Sequence, residues 1–186
     1  MSERRFEPRR VDVLAFARAG SKAQGQWPQA ELQRLTESAL PSLGDRVPDP
    51  VQWQVQGELR PVRGGGHEIW LHLQADTSVL LECQRCLNPM AEALSVDRWF
   101  RFADSEDEAA VLDEEVEEDV LVASKRFDLL TLVEDEFLLA LPIVPRHAEC
   151  PAPLAGLAAG PAEVAAEPRR NPFAVLEGLR GPPAKK

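Results

Sequence analysis

Two short motifs of equal spacing, Cys83-Gln84-Arg85-Cys86 and His147-Ala148-Glu149-Cys150, constrain the fold of this chain more than any other feature. Zinc-type ions take four tetrahedral ligands from thiolate sulfur and imidazole nitrogen, often as two close pairs. Two residues between ligands let a tight turn aim both side chains at one point. If the pairs share an ion, the long stretch between them must fold back, as a hairpin followed by a helix would. Four protein ligands leave no open position, so zinc held by Cys83, Cys86, His147 and Cys150 is expected to be structural, not catalytic. Two other readings stay open: buried thiols without metal, and a dithiol redox pair. No helix obviously begins at Cys83, which weakens the redox reading, because low thiol pKa values in such motifs draw on a helix N-terminus.

The chain has 186 residues, 44% of them hydrophobic, enough for one cored domain with tails. The longest apolar stretch, Phe137 to Val144, is broken by Pro142 and is too short to cross a bilayer. Arg4, Arg5, Arg9 and Arg10 are followed by no long apolar segment, so no secretory signal is read there. The expectation is a soluble, cytoplasmic protein. In that reducing compartment three cysteines argue against a disulfide framework. The formal charge is −10, and Asp104 to Asp119 holds ten acidic residues and no basic one. The rest is nearly balanced and both ends are basic, which disfavours a nonspecific polyanion binder but leaves room for a local RNA contact.

Periodicity predicts an α+β fold: an antiparallel sheet or small barrel-like β domain with two or three helices. The opening residues to Arg18 suit a short strand, and Ser21 to Gln26 a loop. Pro28 suits the first turn of a helix striped by Leu32, Leu35 and Leu40. Strict alternation marks strands over Val51–Gln56 and Ile69–Gln74, joined by Gly64-Gly65-Gly66. A third strand, Val79 to Cys83, leads into the cysteine pair, and Ala91 to Phe102 returns after Asn88-Pro89. The acidic run 104–119 predicts a disordered loop. Asp128 suits the N-cap of a helix over Leu129–Leu141, stopped by Pro142 and Pro145. In that helix Glu134-Asp135-Glu136 reads as a solvated face. The organisation expected is one domain over 1–150, a flexible linker over 151–170 and a short docking segment over 171–186.

The remaining residues point to no enzyme. His67 and His72 read as surface residues, and Trp27, Trp53, Trp70 and Trp99 as core or rim anchors, with base stacking the alternative. No P-loop, Gly-x-Gly-x-x-Gly or nucleophile elbow is present.

LLECQRCLNPM at 80–90, FDLLTLVEDEFLLALPIVPRHAEC at 127–150 and NPFAVLEGL at 171–179 resemble the bacterial YceD family of large ribosomal RNA subunit accumulation proteins. A weaker likeness runs over GQWPQAELQRLTESAL at 25–40. The resemblance implies a non-enzymatic role in synthesis, processing or stability of large-subunit ribosomal RNA. It carries the family's cysteine pair onto Cys83 and Cys86, its acidic helix motif onto Glu134, Asp135 and Glu136, and its His-plus-Cys segment onto His147 and Cys150. An acidic chain lacks the clustered Lys and Arg that phosphate-driven RNA binding needs. The partner expected is therefore a basic large-subunit ribosomal protein or an assembly factor, with ribosomal RNA engaged indirectly. Glu134, Asp135, Glu136 and the segment beginning Asn171, Pro172, Phe173 are the candidate partner-binding residues. No membrane and no small-molecule substrate are expected.

Overall fold

The computed structural model describes residues 6–41 and 48–151. Helix α1 (Val13–Arg18) is followed by β1 (Lys22–Trp27), a 3-10 turn (Gln29–Glu31) and α2 (Gln33–Ser38). Strands β2 (Val51–Pro61), β3 (His67–Glu82) and β4 (Pro89–Ala103) come next, then α3 (Glu106–Asp113), β5 (Asp119–Val122) and α4 (Leu129–Ala140). The chain divides into two units, Met1–Cys150 and Pro151–Lys186. Apart from Pro151, the expected linker and the docking segment with Asn171, Pro172 and Phe173 lie outside the described residues.

Period-two alternation sends one side of every long strand inward. The strands form one sheet in the order β1-β2-β3-β4-β5, antiparallel except where β5 runs parallel to β4. Among the described residues it is an open sheet, not a barrel. Val55, Leu73 and Phe100 on the inward face join Val13 of α1, Leu35 of α2, and Val133 and Phe137 of α4 in one core. Fully burying a side chain of this size contributes roughly 1.5–3 kcal/mol, so α4 is held mainly by its apolar stripe. Gly57 lets α1 approach β2 closely: a Cβ there would lie 2.8 Å from the Ala17 Cα and 2.6 Å from the Phe16 ring. The triple-glycine turn expected between β2 and β3 is present, with Gly64, Gly65 and Gly66 all at positive φ.

Several local readings are corrected. The first is at the start of the chain, where a helix replaces the expected strand. Asp12 Oδ1 accepts the Ala15 N–H at 2.9 Å and caps α1, while Val11 alone makes a β-bridge, to Phe127. From residue 22 onward the expected loop is instead the edge strand β1, whose Lys, Gln and Gly residues have weak strand preference. Six-residue pairing with β2 overrides it. The helix expected from Pro28 to Leu40 is interrupted at Leu32, and Leu40 leaves it to donate its N–H to the Leu80 carbonyl at 2.7 Å. Strands expected at 69–74 and 79–83 are one strand, β3, because alternating burial continues through Asp76, Thr77 and Ser78. The acidic stretch is not wholly a loop. Ser105 Oγ accepts the Glu108 N–H at 3.2 Å, three acidic residues fill the first turn of α3, and Ala109 is buried. With α3, four α-helices are present among the described residues.

Candidate metal centre

The site begins where β3 ends. Inward alternation carries past Glu82 to Cys83, which is fully buried. The Cys83 N–H donates to the Asn88 carbonyl at 3.0 Å, and the Leu87 N–H donates to the Cys83 carbonyl at 2.8 Å. Closing this loop holds Leu87 at φ 59°, an uncommon conformation for leucine. The turn is the tip of the β3–β4 hairpin and brings Cys86 beside Cys83.

The second pair arrives from α4. Leu141 leaves the helix with extended backbone, and Pro142 and Pro145 cannot continue it. The Gln84 N–H donates to the Pro145 carbonyl at 2.9 Å, which docks the post-helix segment on the hairpin tip. The sulfurs of Cys83 and Cys150 then lie 3.9 Å apart, and Cys86 Sγ lies 3.4 Å from His147 Nδ1. All four ligand atoms fall within 4.8 Å of one another. Zinc–sulfur bonds of about 2.3 Å and zinc–nitrogen bonds of about 2.0 Å put tetrahedral ligands roughly 3.5–3.8 Å apart. Two pairs, Cys83 with Cys150 and Cys86 with His147, lie within about 0.1 Å of those edges. The structure thus brings together the four residues predicted as ligands, in a cluster that could hold a metal ion.

The surroundings of Cys83 favour thiolate. Burial pushes the Cys83 thiol up, but backbone N–H groups of His147, Arg85 and Cys86, with the His147 side chain, outweigh it and bring it to about 5. The His147 N–H lies 3.4 Å from Cys83 Sγ. Cys86 moves the other way: the Asn88 backbone N–H pulls it down, but burial and the neighbouring thiols Cys150 and Cys83 hold it up. Arg85 escaped the reading of the sequence. It donates from Nε to Cys150 Sγ at 2.9 Å and from Nη2 to the His147 carbonyl at 3.2 Å. Its position inside the Cys-x-x-Cys was the available signal, since a cation there offsets the charge of clustered thiolates.

The acidic motif of α4 behaves differently from a solvated face. Glu134 and Glu136 are each only 6% exposed. Glu134 Oε1 accepts the backbone N–H of Arg34 at 2.7 Å and of Leu35 at 3.3 Å, and its Oε2 accepts from Arg34 Nε at 2.9 Å. Arg34 Nη1 also reaches Asp135 Oδ1 at 2.6 Å. Arg98, on the inward face of β4 opposite Leu73, donates to Glu136 at 3.0 Å and pairs with Asp119. Two of the three carboxylates proposed as partner contacts are therefore committed inside the domain. Asp135 keeps an exposed side chain.

Fold and site together define a small α+β protein whose hairpin tip and post-helix segment converge on a Cys3His cluster. Residues 71–180 match the family model described as large ribosomal RNA subunit accumulation protein YceD. A protein of that name from Haemophilus influenzae is 32% identical over 177 residues, covering 93% of this chain and 95% of its own. The chain belongs to the YceD family. No solved structure matches it. No helix among the described residues is long and apolar enough to cross a membrane.

Proposed function

We propose that this protein is a non-enzymatic, cytoplasmic accessory factor for assembly of the large ribosomal subunit, acting through a basic ribosomal protein or assembly factor. Family membership is the observation that carries the ribosomal role: the curated relative bears that name and aligns almost end to end. The chain's charge supports protein contacts over direct phosphate contacts. The acidic side chains of Glu106, Asp107, Glu114 and Glu115 are exposed on and just after α3, where a basic partner can reach them. The Cys3His cluster would hold structural zinc through Cys83, Cys86, His147 and Cys150. Bound there, such an ion would supply a cross-link between the hairpin tip and the post-helix segment, while Arg85 and the His147 N–H hold the sulfurs in place.

Sucrose-gradient sedimentation of cell extract tests this reading. The protein should travel with precursor large subunits and leave them as salt is raised. Its deletion should lower mature large-subunit ribosomal RNA. A protein that stays at the top of the gradient at every salt concentration ends the proposal.

A further inference from the structure

The sheet face opposite the core carries an ordered polar grid. Gln24, Gln54, Gln74 and Asp97 stand side by side in register across β1, β2, β3 and β4. Gln26, Gln52, Asp76 and Ser95 form the next row. These rows line an open groove of about 610 Å³. Asp97 is already oriented: its Oδ2 accepts from Gln74 Nε2 at 2.8 Å, and Oδ1 lies 2.6 Å from His72 Nε2. Beyond it, the His72 ring stacks on Trp99 with centroids 4.4 Å apart.

Such a lining selects its ligand by charge and by hydrogen bonding. Asp76 and Asp97 are the charged side chains of the groove, and no lysine or arginine lines it among the described residues. A phosphodiester strand would meet two carboxylates without a compensating cation, so RNA is disfavoured. Glutamine amides offer both donors and acceptors, the set that an extended peptide main chain can use. Asp76 faces Ser95, which makes Asp97 its diagonal cross-strand neighbour, at a spacing of roughly 7–8 Å. Alternate side chains of an extended peptide project about 6.6 Å apart on one face, close to that spacing.

We propose that this glutamine and aspartate grid binds an extended polypeptide segment carrying cationic side chains at alternate positions. The inference deepens the assembly-factor reading and rests on it only for the source of such a segment, a basic tail of a partner protein.

Nuclear magnetic resonance on the full chain, labelled with nitrogen-15, tests the grid directly. The probes are a short peptide of alternating arginine and serine, the same peptide with glutamine for arginine, and a short oligouridylate. The arginine peptide should shift the side-chain amide signals of Gln24, Gln54 and Gln74 in a saturable way. Joint Asp76→Asn and Asp97→Asn substitution should weaken binding about fivefold, the size expected for losing two exposed ion pairs. Gln24→Ala with Gln54→Ala, two exposed changes, provides a second variant that should also weaken it. Shifts confined to residues 106–119, equal binding by the variants, or amide shifts caused by the neutral peptide or the oligouridylate would each overturn the proposal. Such a failure beside intact co-sedimentation would remove the surface and leave the ribosomal role standing.

Discussion

The Glu134 carboxylate caps a helix to which it does not belong: projecting from α4, it takes the Arg34 and Leu35 backbone N–H groups at the start of α2. Short helices leave their first N–H groups unpaired, and α2 has no side-chain cap of its own. A buried acid reaching across the domain satisfies them and fixes α2 against α4. The Arg34 guanidinium closes the arrangement from outside, where its hydrogen bonds to Asp135, then Glu134, raise its pKa.

Replacing that acid should therefore cost more than replacing its neighbour. Glu134→Ala leaves two N–H groups without an acceptor and should lower stability by about 2 kcal/mol. Glu134→Gln retains one acceptor and should lose less. Asp135→Asn removes a surface pair and should stay within about 0.5 kcal/mol. Urea denaturation of the three variants decides it. Equal losses at 134 and 135 would mean that the cap carries no stability.

Gly57→Ala probes the seam between α1 and β2. The new Cβ meets Ala17 backbone, which cannot rotate away as a side chain could. Overpacking of this kind typically costs about 1–3 kcal/mol. Thermal unfolding should show a clear drop in Tm, whereas Gly57→Ala with wild-type stability would show that α1 can move outward freely.

What could be read from the sequence follows the reach of each interaction. Strands β2, β3 and β4 were legible because alternation is local, and the four candidate ligands because their spacing is local. Strand β1 was not, since Lys22, Gln24 and Gly25 become a strand only by pairing with β2. Nor was the role of Glu134, whose partner lies a hundred residues earlier, at Arg34. An acidic triplet on a helix looks solvated until the helix it touches is known. The acidic stretch misled for another reason: its density of charge hid the Ser105 cap and buried Ala109, the two features that make α3 a helix.

The Asp97 carboxyl sits below the usual range because Gln74, then His72, hydrogen-bond its charged form. A lowered folded-state pKa stabilises the fold above the ordinary carboxylate value, and that contribution disappears as pH falls through the lowered one. Carbon-13 titration should show Asp97 ionising below 3.8, the ordinary value, and Gln74→Ala should move it back upward. An Asp97 that titrates normally in the unsubstituted protein would dissolve the oriented pair on which the grid depends.

Metal content settles the role of the hairpin tip. Protein prepared without chelator should carry one equivalent of zinc by elemental analysis, because four donor atoms of the right kind already lie within 4.8 Å of one another. Removing the ion should cost several kcal/mol of stability, since structural zinc contributes directly to folding. Cys150→Ser should abolish stoichiometric binding and release the 147–150 segment from the tip. Arg85→Ala touches no ligand position, so it should keep the stoichiometry while lowering affinity about 10–100-fold, as loss of an outer hydrogen bond to a ligand typically does. Competition with a chromogenic chelator measures both effects. Zinc far below one equivalent, with Cys150→Ser as stable as the unsubstituted protein, would reduce the cluster to one buried and two half-buried thiols and a histidine held together by the Gln84 and Arg85 hydrogen bonds alone.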